Sequence, residues 1–429
     1  MKPPAPARLG LLAATALVAG NMIGSGIFLL PSALAPYGGL SLVGWLVSLL
    51  GILALAWVFA DFSRHLPLSG GPYAYSRHVF GDFAGFAVAW GYWVSIWCGN
   101  AAIAIALVSY ASVFVPALND SPTLAVFVAG VMIWSVTVVN LLGIKQAALV
   151  QVVTTGLKLI PLVLLATVGL LAMERNPVQL PNLSGSTSLE AILACSALTL
   201  WAFLGVESAT IPAGDIRVPG KTIARATLLG VVIAGVVYLL STSAVMGIIP
   251  AAELQTSAAP FAAAAERVLG GWASLLVAAG AVISCFGALN GWVLLQGRMP
   301  QVVAKDGLLP RWFAAQNRRG APANALIFGS AMVTVIMVSN YTRGMVGLFA
   351  FAILLSTLAT LLPYLLVTLA RLTNRGRKLP QLRGWQTAVV VLATVFSAWA
   401  IVGTGLESVL WGGVLVGSGL PVYLLVRRK

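Results

Sequence analysis

The chain has few charged residues, and acidic side chains are the scarcest of these. Only 8% of its 429 residues are charged, with 11 Asp or Glu against 25 Lys or Arg. Its 3 cysteines and 2 histidines form no Cys-x-x-Cys pair, and none stands beside an acid at the spacing of a metal site. We therefore expect no metal and no cofactor, and we interpret the cysteines as small apolar packing residues.

Long apolar segments are the most prominent positive feature. Hydrophobic residues make up 59% of the chain and the mean hydropathy is +0.97, which is far from the composition of a soluble domain. A membrane-spanning helix needs about 20 mostly apolar residues, and twelve such segments fit along the chain. We predict an all-α membrane protein with one integral domain, residues 1–429. The predicted spans are 9–36, 40–62, 82–115, 122–142, 147–172, 189–214, 223–249, 271–299, 322–341, 345–371, 385–404 and 406–426.

The distribution of Lys and Arg predicts the orientation in the bilayer. With the N-terminus in the cytoplasm, 21 of the 25 basic residues fall on the cytoplasmic side and 3 on the other, as the positive-inside rule requires. We expect both termini in the cytoplasm, and the net charge of +14 then needs no nucleic acid partner. The first span is too long and too polar in its middle for a cleaved secretory signal, so we expect it in the mature protein.

The middle of the first span is unusually rich in glycine. Residues 20–28 read Gly-Asn-Met-Ile-Gly-Ser-Gly-Ile-Phe, and each glycine is about 1 kcal/mol worse than alanine inside a helix. Backbone groups freed at bilayer depth need a polar partner, and interrupted helices of this kind form the midplane sites of many transporters. The alternative is close helix packing, because Gly20 and Gly24 also form a Gly-x-x-x-Gly motif.

Two ionisable residues lie deep in predicted spans. A charge near the bilayer centre costs at least about 2.5 kcal/mol, so it usually faces a cavity or a partner. Glu207 lies between Gly205 and Ser208 in the sixth span, which predicts a second interruption. Lys158 lies about eleven residues into the fifth span, too deep to reach the interface easily. Glu207 could instead be a hydrogen-bonded structural carboxylate, and Lys158 either a fixed charge or a proton carrier.

The two interruptions begin corresponding groups of five helices. This placement predicts an inverted 5+5 repeat, with broken helices 1 and 6, as in many secondary transporters. The repeats would be residues 9–172 and 189–371, followed by two additional helices over 385–426. Three aromatic residues lie near the interruptions or at helix midpoints, namely Tyr92, Trp201 and Trp292. Any one of them is explained by packing, but together they suggest a site where an indole face holds a cation.

Several motifs resemble the amino acid-polyamine-organocation transporters, and within them the basic amino acid and polyamine antiporters. The resemblance spans almost the whole chain and implies a LeuT-like fold. It rests on Gly20-Asn-Met-Ile-Gly-Ser-Gly-Ile-Phe, Gly70-Gly-Pro-Tyr-Ala-Tyr, Trp97-Cys-Gly-Asn, Leu200-Trp-Ala-Phe-Leu-Gly-Val-Glu-Ser, Asn290-Gly-Trp-Val and Leu362-Pro-Tyr.

The resemblance also implies how a substrate is held. Backbone N–H groups of the first interruption would bind its α-carboxylate, and carbonyls beside both interruptions its α-ammonium. The N–H groups would be those of Ser25, Gly26 and Ile27, and the carbonyls those near Ile23, Trp201 and Leu204. The distal cationic group would lie against Trp292, near Asn100 and Ser356.

Gating roles follow from the same resemblance. Tyr92, Glu207 and Tyr364 would form the proximal gate, Trp201 the outer gate, and Tyr73 a part of the pH response. The chain departs from the arginine/agmatine pattern at Ser95 and Ile96, which reshape the side-chain pocket. Lys158 is a further departure, and it is similar to the lysine of proton-coupled and neutral amino acid carriers.

We therefore expect a bacterial inner-membrane exchanger of amino acids or their amines, with cationic substrates such as arginine and agmatine favoured. A proton-coupled carrier of neutral amino acids is the alternative. An intramembrane transferase is remote, because the sequence has neither a His-Asp pair nor a metal-ligand set. The expected partners are a small amino acid or amine and the lipid bilayer, and a homodimer is suggested by analogy alone.

Overall fold

The computed structural model describes residues 10–66, 70–143, 154, 159–207, 210, 218–374 and 379–427. Every regular element within these ranges is helical. Eight helices are long and apolar enough to cross a bilayer, and four of the predicted spans contain shorter apolar helices. The prediction of an all-helical membrane protein is confirmed to this extent. The count of twelve spans and the inverted repeat remain predictions.

The helices follow one another through short connections. The first group is α1 (Leu11–Met22), α2 (Gly26–Leu34), α3 (Leu40–His65), α4 (Pro72–Phe80), α5 (Asp82–Ala111), α6 (Pro122–Leu141) and α7 (Leu159–Leu164, continued by a π-helical turn to Ala172). The second is α8 (Ser188–Ala202), α9 (Pro219–Ile248), α10 (Pro260–Leu269), α11 (Gly271–Lys305), α12 (Ala323–Ser339) and α13 (Gly344–Thr373). The last is α14 (Gly384–Gly403), α15 (Gly405–Gly417) and α16 (Gly419–Arg427).

The first predicted span is interrupted at residues 23–25. Ile23 leaves helical geometry with a ψ of 83°, and its N–H closes the last turn of α1 by donating to the carbonyl of Ala19 at 2.8 Å. The chain becomes helical again at Gly26. Low helix propensity at Gly24 and Gly26 explains why the break falls here, so the span consists of two short helices.

The sixth predicted span also loses its helix. α8 ends at Ala202, and residues 203–207 form turns. Gly205 has a φ of +104°, a conformation that a residue with a Cβ rarely adopts, so glycine is required at this turn. Residues 208, 209 and 211–217 lie outside the described part of the chain, as does Lys158.

α5 lies at the centre of the protein. Nearly all of its residues are buried, and it packs mainly against α11 and α13. The indole N–H of Trp93 in α5 donates to the backbone carbonyl of Gln296 in α11 at 2.9 Å. By contrast, α14, α15 and α16 expose most of their apolar side chains, as expected for helices that face lipid. The central helices therefore form the walls of any internal site.

The structure corrects the sequence analysis at one pair of charges. Glu207 and Lys158 were expected to be the ionisable residues deep within the spans, and Arg371 was counted with the cytoplasmic basic residues. In fact Arg371 is only 2% exposed and Asp61 only 3%. The guanidinium of Arg371 donates to the Asp61 carboxylate and also to the carbonyl of Pro380. This ion pair joins the ends of α3 and α13, because a buried charge requires a partner.

Candidate substrate site

An internal cavity lies where the interruption of the first span meets α5, α8, α11 and α13. It encloses about 400 Å³ of empty space, enough for a small amino acid or amine. The cavity is lined by Asn21, Met22, Gly24, Ser25, Gly26, Ser95, Ile96, Gly99, Ile103, Trp201, Ala202, Leu204, Ala288, Trp292 and Ser356. This lining, all from described residues, contains hydroxyl, amide and aromatic groups but no Asp or Glu.

The start of α2 presents backbone donors to the cavity. An α-helix leaves its first N–H groups without partners in the helix, and α2 has no side-chain cap at Ser25. Ser25 and Gly26 both line the cavity, and the positive end of the helix dipole lies at the same place. The site can therefore accept a carboxylate.

Trp201 packs tightly against this helix start. A Cβ placed on Gly26 would lie 2.9 Å from Cζ3 of Trp201, so glycine is needed for the indole to approach the backbone. On its other side the indole contacts Phe349 edge to face, with ring centroids 5.6 Å apart. The two rings cover one side of the cavity.

The end of α8 supplies backbone acceptors. The last carbonyls of a helix have no partners within the helix, and some are used locally here. The carbonyl of Trp201 accepts from the N–H of Leu204 at 3.1 Å, and that of Ala202 accepts from the hydroxyl of Tyr238 at 2.9 Å. A carbonyl oxygen has two lone pairs, so these groups can still accept from an ammonium.

A cluster of hydroxyl groups forms the wall between α5 and α13. The Ser356 hydroxyl donates to the backbone carbonyl of Ser95 at 2.9 Å, and the two hydroxyl oxygens lie 3.2 Å apart. Ser95 also bonds to the hydroxyl of Thr360, one helical turn beyond Ser356. Ile96 lines the cavity beside Ser95, so this wall combines one polar and one bulky apolar residue.

A carboxylate and two phenols lie together between α5, α8 and α13. Glu207 has no exposed surface and accepts from the hydroxyl of Tyr92 at 2.5 Å and from that of Tyr364 at 2.7 Å. Tyr364 lies two helical turns beyond Ser356 in α13, so the group sits below the cavity in the direction of the Arg371 end. Three distant segments are joined by one acceptor.

A second polar cluster lies at the mouth of this pathway. The Tyr73 hydroxyl donates to the Asp306 carboxylate at 2.7 Å and accepts from Arg77 at 3.0 Å. Burial raises the pKa of Tyr73 above its ordinary value of 10.0, and the hydrogen bond to Asp306 raises it further. The phenol is therefore neutral near physiological pH, and any contribution of Tyr73 to a pH response would act through its hydrogen bonds.

The structure brings most of the sequence-predicted site residues together, but not all of them. Ser25, Gly26, Ser95, Ile96, Trp201, Leu204, Trp292 and Ser356 line the cavity. Ile23, Ile27 and Asn100 are buried and do not line it. The sequence analysis missed Asn21, Met22, Gly24, Gly99, Ile103, Ala202 and Ala288 as lining residues. Most of them are neighbours of predicted residues in helices, so helical periodicity could have identified them.

Asn100 lies just behind the cavity wall. It is fully buried, and its Nδ2 donates to Oε1 of Gln296 at 2.9 Å. Ile96 and Ile103, each about one helical turn away in α5, line the cavity. No cluster of potential metal ligands occurs among the described residues.

Comparison with known proteins identifies the family. The amino acid permease family model matches residues 9–417. The chain is 36% identical to a cadaverine/lysine antiporter of Escherichia coli, over 83% of this chain and 81% of that protein. It is 32% identical to an arginine/ornithine antiporter of Pseudomonas aeruginosa, over 98% and 91%, and 30% identical to a putrescine transporter of Haemophilus influenzae, over 98% of each. The resemblance to the amino acid and polyamine transporters is thus confirmed, and the chain belongs to the amino acid permease family.

Proposed function

We propose that this protein is a secondary active transporter that exchanges a basic amino acid for an amine, or for another basic amino acid, across the bacterial inner membrane. The observation that carries the proposal is the cavity, which has backbone donors of α2 at one wall and the indole of Trp292 at another. A basic amino acid has complementary groups at its two ends. The names of the three relatives support an exchange of this substrate class.

The carboxylate and the α-ammonium of the substrate would bind at the interruptions. The carboxylate would accept from the N–H groups of Ser25, Gly26 and Ile27, which lie at the positive end of the α2 dipole. The ammonium would donate to carbonyls near Ile23, Trp201 and Leu204. An amine without a carboxylate would lose the first set of contacts, so the amino acid should bind more tightly than the amine.

The far end of the substrate would lie against Trp292, with Asn100 and Ser356 nearby. A cation over an indole face gains about 0.5 to 2 kcal/mol, and this matters because no acidic side chain lines the cavity. We propose arginine and agmatine as the first pair to test. Lysine and cadaverine are the second, since the relative with 36% identity is named for them.

Transport would proceed by alternating access around this fixed site. Trp201 and Phe349 would close one side, and Glu207 with Tyr92 and Tyr364 the other. The inverted repeat of residues 9–172 and 189–371 would provide the symmetry for the two open states. Cytoplasmic termini would place the Glu207 side toward the cytoplasm. In this account Glu207 changes its hydrogen bonds during the cycle, whereas Lys158 would hold a fixed charge or carry a proton.

Exchange in proteoliposomes tests the proposal. Vesicles that contain the purified protein and unlabelled arginine should take up labelled arginine, and vesicles without internal substrate should not. Accumulation in empty vesicles under a pH gradient alone would instead indicate a proton-coupled carrier. If neither condition gives uptake of basic or neutral amino acids, the proposed function is wrong.

A substitution in the pocket tests where the substrate binds. Trp292→Leu should weaken arginine uptake by about tenfold, the equivalent of the lost cation–π energy. Trp272→Leu is the matched control, because Trp272 lies at the other end of α11 and is largely exposed. Equal uptake by the two variants would contradict the assignment of Trp292 to the site.

A further inference from the structure

A chain of buried polar side chains runs behind Trp292 through four helices. Its members are Asn100 of α5, Gln296 of α11, Ser330 of α12 and Thr137 of α6, and each is at most 1% exposed. Gln296 lies one helical turn from Trp292, and Asn100 lies between two cavity-lining turns of α5. The chain therefore begins at the cavity wall and leads away from it.

Backbone carbonyls fix the direction of the hydrogen bonds, because they can only accept. Thr137 donates to the carbonyl of Ile133 at 2.7 Å, so its oxygen accepts from the Ser330 hydroxyl, 2.6 Å away. Ser330 in turn accepts from Nε2 of Gln296 at 3.0 Å. The same Nε2 donates to the carbonyl of Leu326 at 3.2 Å. The amide of Gln296 can thus have only one orientation.

This orientation determines that of Asn100. Since Nε2 of Gln296 faces α12, its Oε1 faces Asn100 and requires a donor, which Nδ2 supplies at 2.9 Å. The remaining atom, Oδ1 of Asn100, is buried and has no hydrogen-bond partner in the described part of the chain. An unsatisfied buried acceptor costs about 1 to 3 kcal/mol, so a donor that reaches it would be bound favourably.

We propose that Gln296 is a positioning residue that fixes the Asn100 amide with its oxygen unfilled, and so restricts the far end of the substrate to a hydrogen-bond donor. The inference rests on the proposed function and explains how that site selects cations without a carboxylate. Ammonium and guanidinium groups carry only donors. An apolar side chain leaves Oδ1 unsatisfied, and an acidic one repels it. The selectivity thus originates in neutral amides, which the carbonyls of Leu326 and Ile133 orient.

The test measures selectivity rather than activity alone. Inhibition of arginine exchange by lysine and by norleucine is compared, because norleucine has the same backbone groups and an apolar far end. Gln296→Met keeps the length of the side chain but frees the Asn100 amide to rotate. We expect the lysine-to-norleucine affinity ratio to fall about tenfold, which corresponds to the lost hydrogen bond to a charged group, with norleucine unchanged. Gln296→Ala serves the same purpose if the methionine variant does not fold.

Two further variants separate positioning from general structural damage. Gln296→Glu in its protonated form can still donate to Leu326 and accept from Asn100, so it should retain most of the selectivity. Ser330→Ala leaves the Leu326 carbonyl in place and should also stay near the wild-type ratio. An unchanged ratio in Gln296→Met, or an equal loss of both ligands, would overturn the inference. Absence of exchange by the wild-type protein would instead contradict the proposed function.

Discussion

The contact between Gly26 and Trp201 provides a quantitative test of the interrupted helix. A Cβ at residue 26 would lie 2.9 Å from Cζ3 and 3.1 Å from Cε3 of the indole, and 3.3 Å from the Cα of Ala202. A Cβ contact under about 3 Å forces atoms to move, and overpacking of this kind costs about 1 to 3 kcal/mol. Because Trp201 is held against Phe349, the strain should fall on the cavity itself.

Gly26→Ala should therefore reduce the affinity for arginine in the exchange assay by about tenfold, since every 1.4 kcal/mol or so is a factor of ten. Gly24→Ala should have a smaller effect, because its Cβ would lie 3.2 Å from the methyl group of Ala288. Gly413→Ala is the control, as nothing lies within 4 Å of its added Cβ. If Gly26→Ala behaves like Gly413→Ala, the packing of Trp201 on the start of α2 is not part of the site.

Three further predictions concern the charged and phenolic groups. Glu207→Gln should slow exchange by tenfold or more while arginine still raises the melting temperature, because the amide can accept from only one phenol and the cavity is unchanged; normal exchange would refute the gate. Asp61→Asn should destabilise the protein by about 3 to 5 kcal/mol in thermal unfolding, since it leaves Arg371 buried and unpaired, and Asp61→Leu with Arg371→Met should recover much of this; no recovery would contradict the pairing argument. For Tyr73 the folded-state pKa is raised, so its stabilising hydrogen bond is complete below the unfolded pKa of about 10 and is lost as pH rises through the folded value. The melting temperature of Tyr73→Phe should then differ from wild type by a constant amount between about pH 6 and pH 9, and a difference that changes in this range would show that the phenol titrates there.

The interruption of the first span could be predicted because its cause is local. Gly24 and Gly26 have low helix propensity in a run that is otherwise apolar, and that contrast is visible in the sequence. Glu207 could be identified for a similar reason, as a lone acid in an apolar segment. The identity of its phenol partners came from the family resemblance, since Tyr92 and Tyr364 are distant in the chain.

The buried pair of Asp61 and Arg371 could not be predicted in the same way. Both lie near the ends of spans, where a long charged side chain normally reaches the interface, and only the packing of α3 against α13 brings them together. The hydrogen-bonded chain from Asn100 to Thr137 was missed because its members belong to four helices. One signal was present, since Gln296 is a polar residue within an apolar helix and such a residue needs a buried partner.

The affinities of wild-type protein for arginine, agmatine and norleucine, measured by calorimetry in detergent, test the central claim most directly. The claim is that one cavity recognises a substrate by both of its ends. Arginine should bind most tightly, agmatine less tightly because it has no carboxylate for α2, and norleucine most weakly because it offers no cation to Trp292. If norleucine binds as well as arginine, the cavity does not select a basic side chain and the account is wrong.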